Sequence, residues 1–147
     1  MNIIFKSFSV LLIGLTSLTS CVTSSASLCE APNVNLRKYR HVVIDDDIKC
    51  PRELDGTILQ IQKEISSSLS IVSKGAADEL VKTGTPVLYH SVYISGDEAT
   101  DTKKHVNFIN LYFKDYITKD NKLIIRCNPT GNFFLRQLQT DLKAAFR

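Results

Sequence analysis

Apolar positions along the chain recur with two different periods. Leu54, Ile58, Ile61, Ile65, Leu69 and Val72 are three or four residues apart, the stripe of an amphipathic helix. Pro51 suits the first turn of that helix, and Asp55 could cap a slightly later start. Ser66-Ser67-Ser68 and Gly75 interrupt the pattern, and a second short helical piece, Ala76 to Lys82, would end at Gly84. The same spacing returns in Leu135, Leu138, Leu142 and Phe146, predicting a helix that runs to the C-terminus. Between these stretches the pattern is that of strands. His41-Val42-Val43-Ile44 is an apolar run stopped by Asp45-Asp46-Asp47, and Val87 to Ile94 is rich in β-branched and aromatic residues up to Ser95-Gly96-Asp97. A polar loop reaches Lys104. His105 to Ile117 then predicts a long strand, Lys119-Asp120-Asn121 a hairpin turn, and Leu123 to Cys127 the partner strand.

The order is β-α-β-β-β-α, an α+β arrangement. Its natural two-layer solution is a small mixed, mainly antiparallel sheet with helices on one face. A right-handed crossover makes the second strand parallel to the first, and two hairpin reversals make the fourth parallel to the second. Residues 37–147 form this domain, and the Ser/Thr-rich stretch 21–36 is expected to be a flexible tether. At 147 residues, 44% apolar, the chain holds one core and not two. Small α+β modules of envelope lipoproteins are similar in architecture, a likeness that carries no functional residues.

Residues 1–21, MNIIFKSFSVLLIGLTSLTSC, run from a weakly basic start at Lys6 through an apolar segment, Phe8 to Leu15, into small hydroxylated residues. That segment is too short to span ~30 Å of hydrocarbon and suits a cleavable export signal. Leu18-Thr19-Ser20-Cys21 resembles the lipobox of bacterial lipoproteins, with an aliphatic residue, two small residues and the Cys. The resemblance implies that residues 1–20 are removed, that Cys21 is acylated, and that acyl chains anchor the protein to a membrane. Val22 stands where Asp commonly signals inner-membrane retention, which implies the outer membrane. The other reading is an ordinary secretory signal cut near Ala26. Removing residues 1–20 takes only Lys6 from the 18 basic residues and nothing from the 15 acidic ones. The near-neutral remainder has no basic block, so nucleic acid is not an expected partner.

Motif chemistry is sparse. In an oxidising compartment Cys29, Cys50 and Cys127 could supply one disulfide. Cys50–Cys127 is favoured because the strands they follow end on the same rim, with Cys29–Cys50 or no bond as alternatives. No Cys or His spacing suits zinc. Asp45-Asp46-Asp47 lacks the further ligands of a helix-loop-helix calcium site and reads as a solvated acidic loop. His41, His90 and His105 have no partner at i+2 or i+4, and no nucleophile motif is present. No catalytic residue, metal or cofactor is therefore expected.

Alternation along the three consecutive strands separates two faces. Leu88, Val92, Ile94, Ile109, Leu111, Phe113, Ile117, Leu123 and Ile125 make the expected core face. The opposite parity holds Tyr89, Tyr93, Phe108, Asn110, Tyr112, Lys114, Tyr116, Lys122, Ile124 and Arg126. That aromatic and cationic mixture suits a partner-binding surface, with Tyr89, Tyr93, Tyr112, Tyr116 and Arg126 as contact residues. The expected function is a non-enzymatic, lipid-anchored envelope protein that binds a protein or cell-wall partner. The alternatives are an envelope hydrolase without a recognisable motif and an inhibitory or defensive lipoprotein. A cleft lined by His90 or His105 with carboxylates would favour the enzyme; a flat Tyr-rich face would favour the binding module.

Overall fold

The computed structural model describes residues 26–30, 33–48, 52–97, 105–128 and 134–147. Six strands, β1 (Ala26–Glu30), β2 (His41–Ile44), β3 (Ser70–Ile71), β4 (Val87–Asp97), β5 (His105–Asp115) and β6 (Asn121–Cys127), form one sheet in the order β1-β6-β5-β4-β2-β3. The helices are α1 (Asp55–Ser68), α2 (Lys74–Lys82) and α3 (Phe134–Phe146). Strands β4, β5 and β6 pair antiparallel, as does β1 with β6, while β2 is parallel to both β3 and β4. This is the α+β class with a mixed, mainly antiparallel sheet. No described helix is long and apolar enough to cross a membrane.

Two elements correct the expected plan at the N-terminal end. Ala26–Glu30 is a strand on the edge of the sheet, and Leu36–Lys38 is a 3-10 turn whose Leu36 is buried. The stretch read as a tether to residue 36 therefore belongs to the domain from at least Ala26. Residues 1–20, with Cys21 and Cys50, lie outside the described residues.

The main core follows the predicted stripes. Ile58, Ile61 and Ile65 of α1 and Leu138, Leu142, Ala145 and Phe146 of α3 are buried against Leu88, Ile109, Leu111, Phe113, Leu123 and Ile125 of the sheet. Burying a side chain of this size contributes about 1.5–3 kcal/mol. Asp55 begins α1 without capping it, the N-cap being Leu54, whereas Ser73 does cap α2 by accepting from the Ala76 N–H. Ile117, expected in the core, lies past the end of β5 and is 61% exposed. There Asp115 shapes the hairpin. Its Oδ1 accepts from the N–H groups of Ile117 (2.9 Å) and Thr118 (3.1 Å), and its Oδ2 accepts from the Tyr39 hydroxyl (2.9 Å). Lys119 supplies the left-handed turn, with φ 62°.

The position of α2 differs from the expectation that all helices share one face. Ala77, with Leu80 and Val81, packs on Val43 and Val87, whose sequence neighbours Val42 and Leu88 face the main core. Topology supplies the reason. From β2 the chain passes through α1 outward to β3, then returns through α2 across β2 to β4. Two right-handed crossovers that run in opposite directions across a parallel set must place their helices on opposite faces.

Cys127 follows Leu123 and Ile125 onto the core side, where its thiol is free and fully buried. Burial first, and then the charge of Asp141, push that thiol up to about 12. The favoured Cys50–Cys127 bridge is thus absent on the Cys127 side, while Cys50 lies outside the described residues. The parallel relation of β2 and β6 holds, with β4 and β5 between them. Cys29 lies in β1 opposite Ile124, and Cys127 opposite Ala26.

Candidate binding face and switch-point cleft

Register places the predicted contact residues in rows across β4, β5 and β6. One row is Tyr93, Asn110 and Arg126, the next is Ser91, Tyr112 and Ile124, and Ser95 lies opposite Phe108. All lie on the face opposite α1 and α3. The alternation was therefore sufficient to group them, but α2 divides the group. Tyr89 and Tyr116 pack against α2; the Tyr116 hydroxyl donates to Asp78 Oδ1 of that helix (2.9 Å), and Lys119 stands over both rings, 4.9 and 4.5 Å from their centroids. These two tyrosines are part of a second small core rather than open contact residues. Tyr93, Tyr112 and Arg126 lie beyond α2, and Tyr93 is 57% exposed.

The part that no described helix covers is organised around Arg126. Its Nε donates to Asn110 Oδ1 (3.2 Å), and its guanidinium lies 4.6 Å from the centroid of the Phe108 ring. Asn110, only 5% exposed, also donates through Nδ2 to the Tyr112 hydroxyl at a long 3.4 Å. Lys114 sits 5.7 Å from the Tyr112 ring. An arginine held over an aromatic ring by a buried amide has lost much of its rotamer freedom in advance of any ligand. Among the described residues no carboxylate pairs with it. Sequence reasoning assigned Asn110 no contact role; its signal is a polar residue between Phe108 and Tyr112 on one face of β5.

A concavity lies at the other end of the sheet. Connections leave the carboxyl ends of the adjacent parallel strands β2 and β3 toward opposite faces, the geometry that opens a crevice in α/β sheets. A cleft of about 650 Å³ occupies that place, lined by Ile44, Asp45, Ile48, Asp55, Leu59 and Ile71 among others. Burial raises the Asp45 carboxyl, but hydrogen bonds from Tyr89 and the Asp47 N–H, with the charge of Lys74, outweigh it and hold the group below its ordinary range. Asp46 faces Lys74 at 3.7 Å. The acidic run is thus partly engaged in the fold, rather than a wholly solvated loop. Among the described residues no group of three or more His, Cys, Asp or Glu is placed to hold a metal ion.

His90 lines neither the cleft nor the Tyr93/Arg126 face. It is fully buried on the core side, stacked on Phe113 at 4.7 Å, with Nδ1 3.1 Å from the Tyr112 carbonyl oxygen. That carbonyl can only accept, so Nδ1 carries the proton and Nε2 is a bare lone pair, with no hydrogen-bond partner. His41 is half-buried in β2, and the His105 side chain lies outside the described residues.

No protein-family model matches the chain, and no curated protein does. Among solved structures, it is similar to a variant PelC dodecamer from Paraburkholderia phytofirmans at 11% identity, over 84% of this chain and 99% of that one, with a TM-score of 0.47. The PelC dodecamer from the same organism in a second crystal form is 11% identical over 83% and 91% of the two chains, with a TM-score of 0.42.

Proposed function

We propose that the chain is a non-enzymatic binding protein, anchored to the outer membrane by acyl groups on Cys21, whose uncovered sheet face engages a protein or cell-wall partner. The observation that carries the reading is the face itself: three strands present Tyr93, Phe108, Tyr112, Ile124 and Arg126 where α2 does not reach. A solvated antiparallel face is normally polar. Aromatic side chains with a held arginine are the composition of contact surfaces. His90 is fully buried in the core and its ring does not line the cleft, which favours this reading over a hydrolase.

Two results test it. The Cys21→Ser variant should remain unprocessed or be released, and intact-mass analysis of the wild-type chain should show acyl mass on a product beginning at Cys21; a mature chain without that mass would end the anchoring proposal. For the face, changing Tyr93 and Tyr112 together to Ser should weaken partner capture at least tenfold, equal to about 1.4 kcal/mol of binding free energy. The melting temperature should move by only a few degrees, as befits one exposed and one half-buried position. Unfolding of the double variant would assign both rings to a core layer. Unchanged capture would remove the face from the account.

A further inference from the structure

From the charge and size of the uncovered face, and resting on the reading of it as a binding surface, we infer that its occupant is an acidic glycan, a polysaccharide whose sugar rings carry carboxylates. Three observations converge. The first is charge. Arg126 is held in place by Asn110 and Phe108, and no described carboxylate neutralises it. Described carboxylates near this side of the sheet are engaged at the α2 end, where Asp78 accepts from Tyr116 and Asp45 accepts from the Asp47 N–H. Asp120 lies near Lys122, 3.9 Å away, at the hairpin. A fixed guanidinium with no carboxylate partner among the described residues retains a fork of N–H donors matched to a carboxylate.

The second observation is the shape of the remaining groups. Tyr93, Phe108 and Tyr112 are aromatic groups on one pleated surface, interleaved with the amide of Asn110. A ring face carries negative quadrupole density, which attracts the polarised C–H groups of a sugar ring, while amide and phenol groups meet its hydroxyls. The third is extent. Strands β1, β6, β5 and β4 lie side by side on this part of the sheet, a platform about 14 Å wide at the usual strand spacing, along which an extended glycan chain fits.

The test uses the full-length chain with three probes of matched length: oligogalacturonate, a neutral galactan oligosaccharide and oligoglutamate. Titration calorimetry should show binding of oligogalacturonate that weakens as salt rises. The neutral oligosaccharide should bind at least about tenfold more weakly, the scale of one charge-assisted hydrogen bond, and oligoglutamate should not bind measurably. Arg126→Met should remove the preference for the charged glycan, whereas Tyr93→Ser should weaken both sugars alike. Equal binding of oligoglutamate would overturn the glycan assignment in favour of an acidic protein while leaving the binding face intact. Equal binding of the two sugars would overturn the role of Arg126. Binding of oligogalacturonate that survives both substitutions would place the ligand elsewhere and overturn the proposal. No binding of any probe, with partner capture still lost in the Tyr93/Tyr112 double variant, would likewise overturn the glycan and spare the face.

Discussion

Replacing Phe113 by alanine should destabilise the domain by about 3–5 kcal/mol, the cost of an aromatic side chain removed from a core that relaxes only partly. The ring is fully buried at the centre of β5. It stacks on His90 at 4.7 Å on one side and meets Phe146 of α3 edge-on at 5.7 Å on the other. It therefore joins the sheet to the C-terminal helix. Ile117→Ala, four residues along the chain, should stay within about 0.5 kcal/mol because that side chain is mostly in solvent. Urea unfolding of the two variants measures the contrast. A loss below about 1 kcal/mol for Phe113→Ala would mean that this core is not packed as described.

The second large effect is a dependence of stability on pH between about 6.5 and 4. Burial, opposed only in part by the Tyr112 carbonyl and by Asp45, lowers the His90 pKa from its ordinary 6.5 to about 4. Above pH 6.5 the imidazole is neutral in both folded and unfolded chains and contributes no pH dependence. As pH falls toward 4 the unfolded chain takes up the proton first, so stability drops by about 1.4 kcal/mol per pH unit. Below 4 both forms are protonated and the loss levels off at roughly 3 kcal/mol, or about 10 °C in melting temperature for a domain of this size. His90→Leu should flatten this segment of the curve, since leucine cannot charge and leaves no bare lone pair. The carboxylates Asp45 and Asp115, both held below their ordinary range, add their own loss in acid. The difference between wild type and variant isolates the histidine. Equal slopes in the two proteins would show that His90 is not held neutral by burial.

Periodicity made most of this fold legible. The Ile58/Ile61/Ile65 stripe and the Leu138/Leu142/Phe146 stripe each mark a buried helix face. The parity of β4, β5 and β6 separated Phe113 from Tyr112 correctly because a pleated strand alternates without exception unless a bulge intervenes. The register shifts at Ser95/Gly96 and at Phe113/Lys114 flank the central rows and leave them in phase. What was not legible depends on contacts between distant segments. Ala-Ser-Leu-Cys-Glu has neither a β-branched run nor a polar/apolar alternation, and it becomes a strand because β6 offers an unpaired edge. Ser70–Ile71 is too short to leave a pattern, yet its place beyond β2 sends α2 to the opposite face and so covers Tyr89 and Tyr116. Cysteine spacing could not exclude a bridge, because lateral strand order is a property of the whole sheet.

That same division by α2 sharpens the functional claim. Three large apolar or aromatic side chains are similarly exposed at different places: Tyr93 at 57% on the sheet face, Leu59 at 66% beside the cleft, and Ile117 at 61% at the hairpin. Only the first lies on the proposed contact surface. A photo-crosslinking residue placed singly at each of these positions in the full-length protein, and activated in intact cells, compares the three surfaces under native conditions. The account predicts a discrete higher-mass adduct from position 93 and little or none from positions 59 and 117. Adducts from 59 or 117 with none from 93 would contradict it.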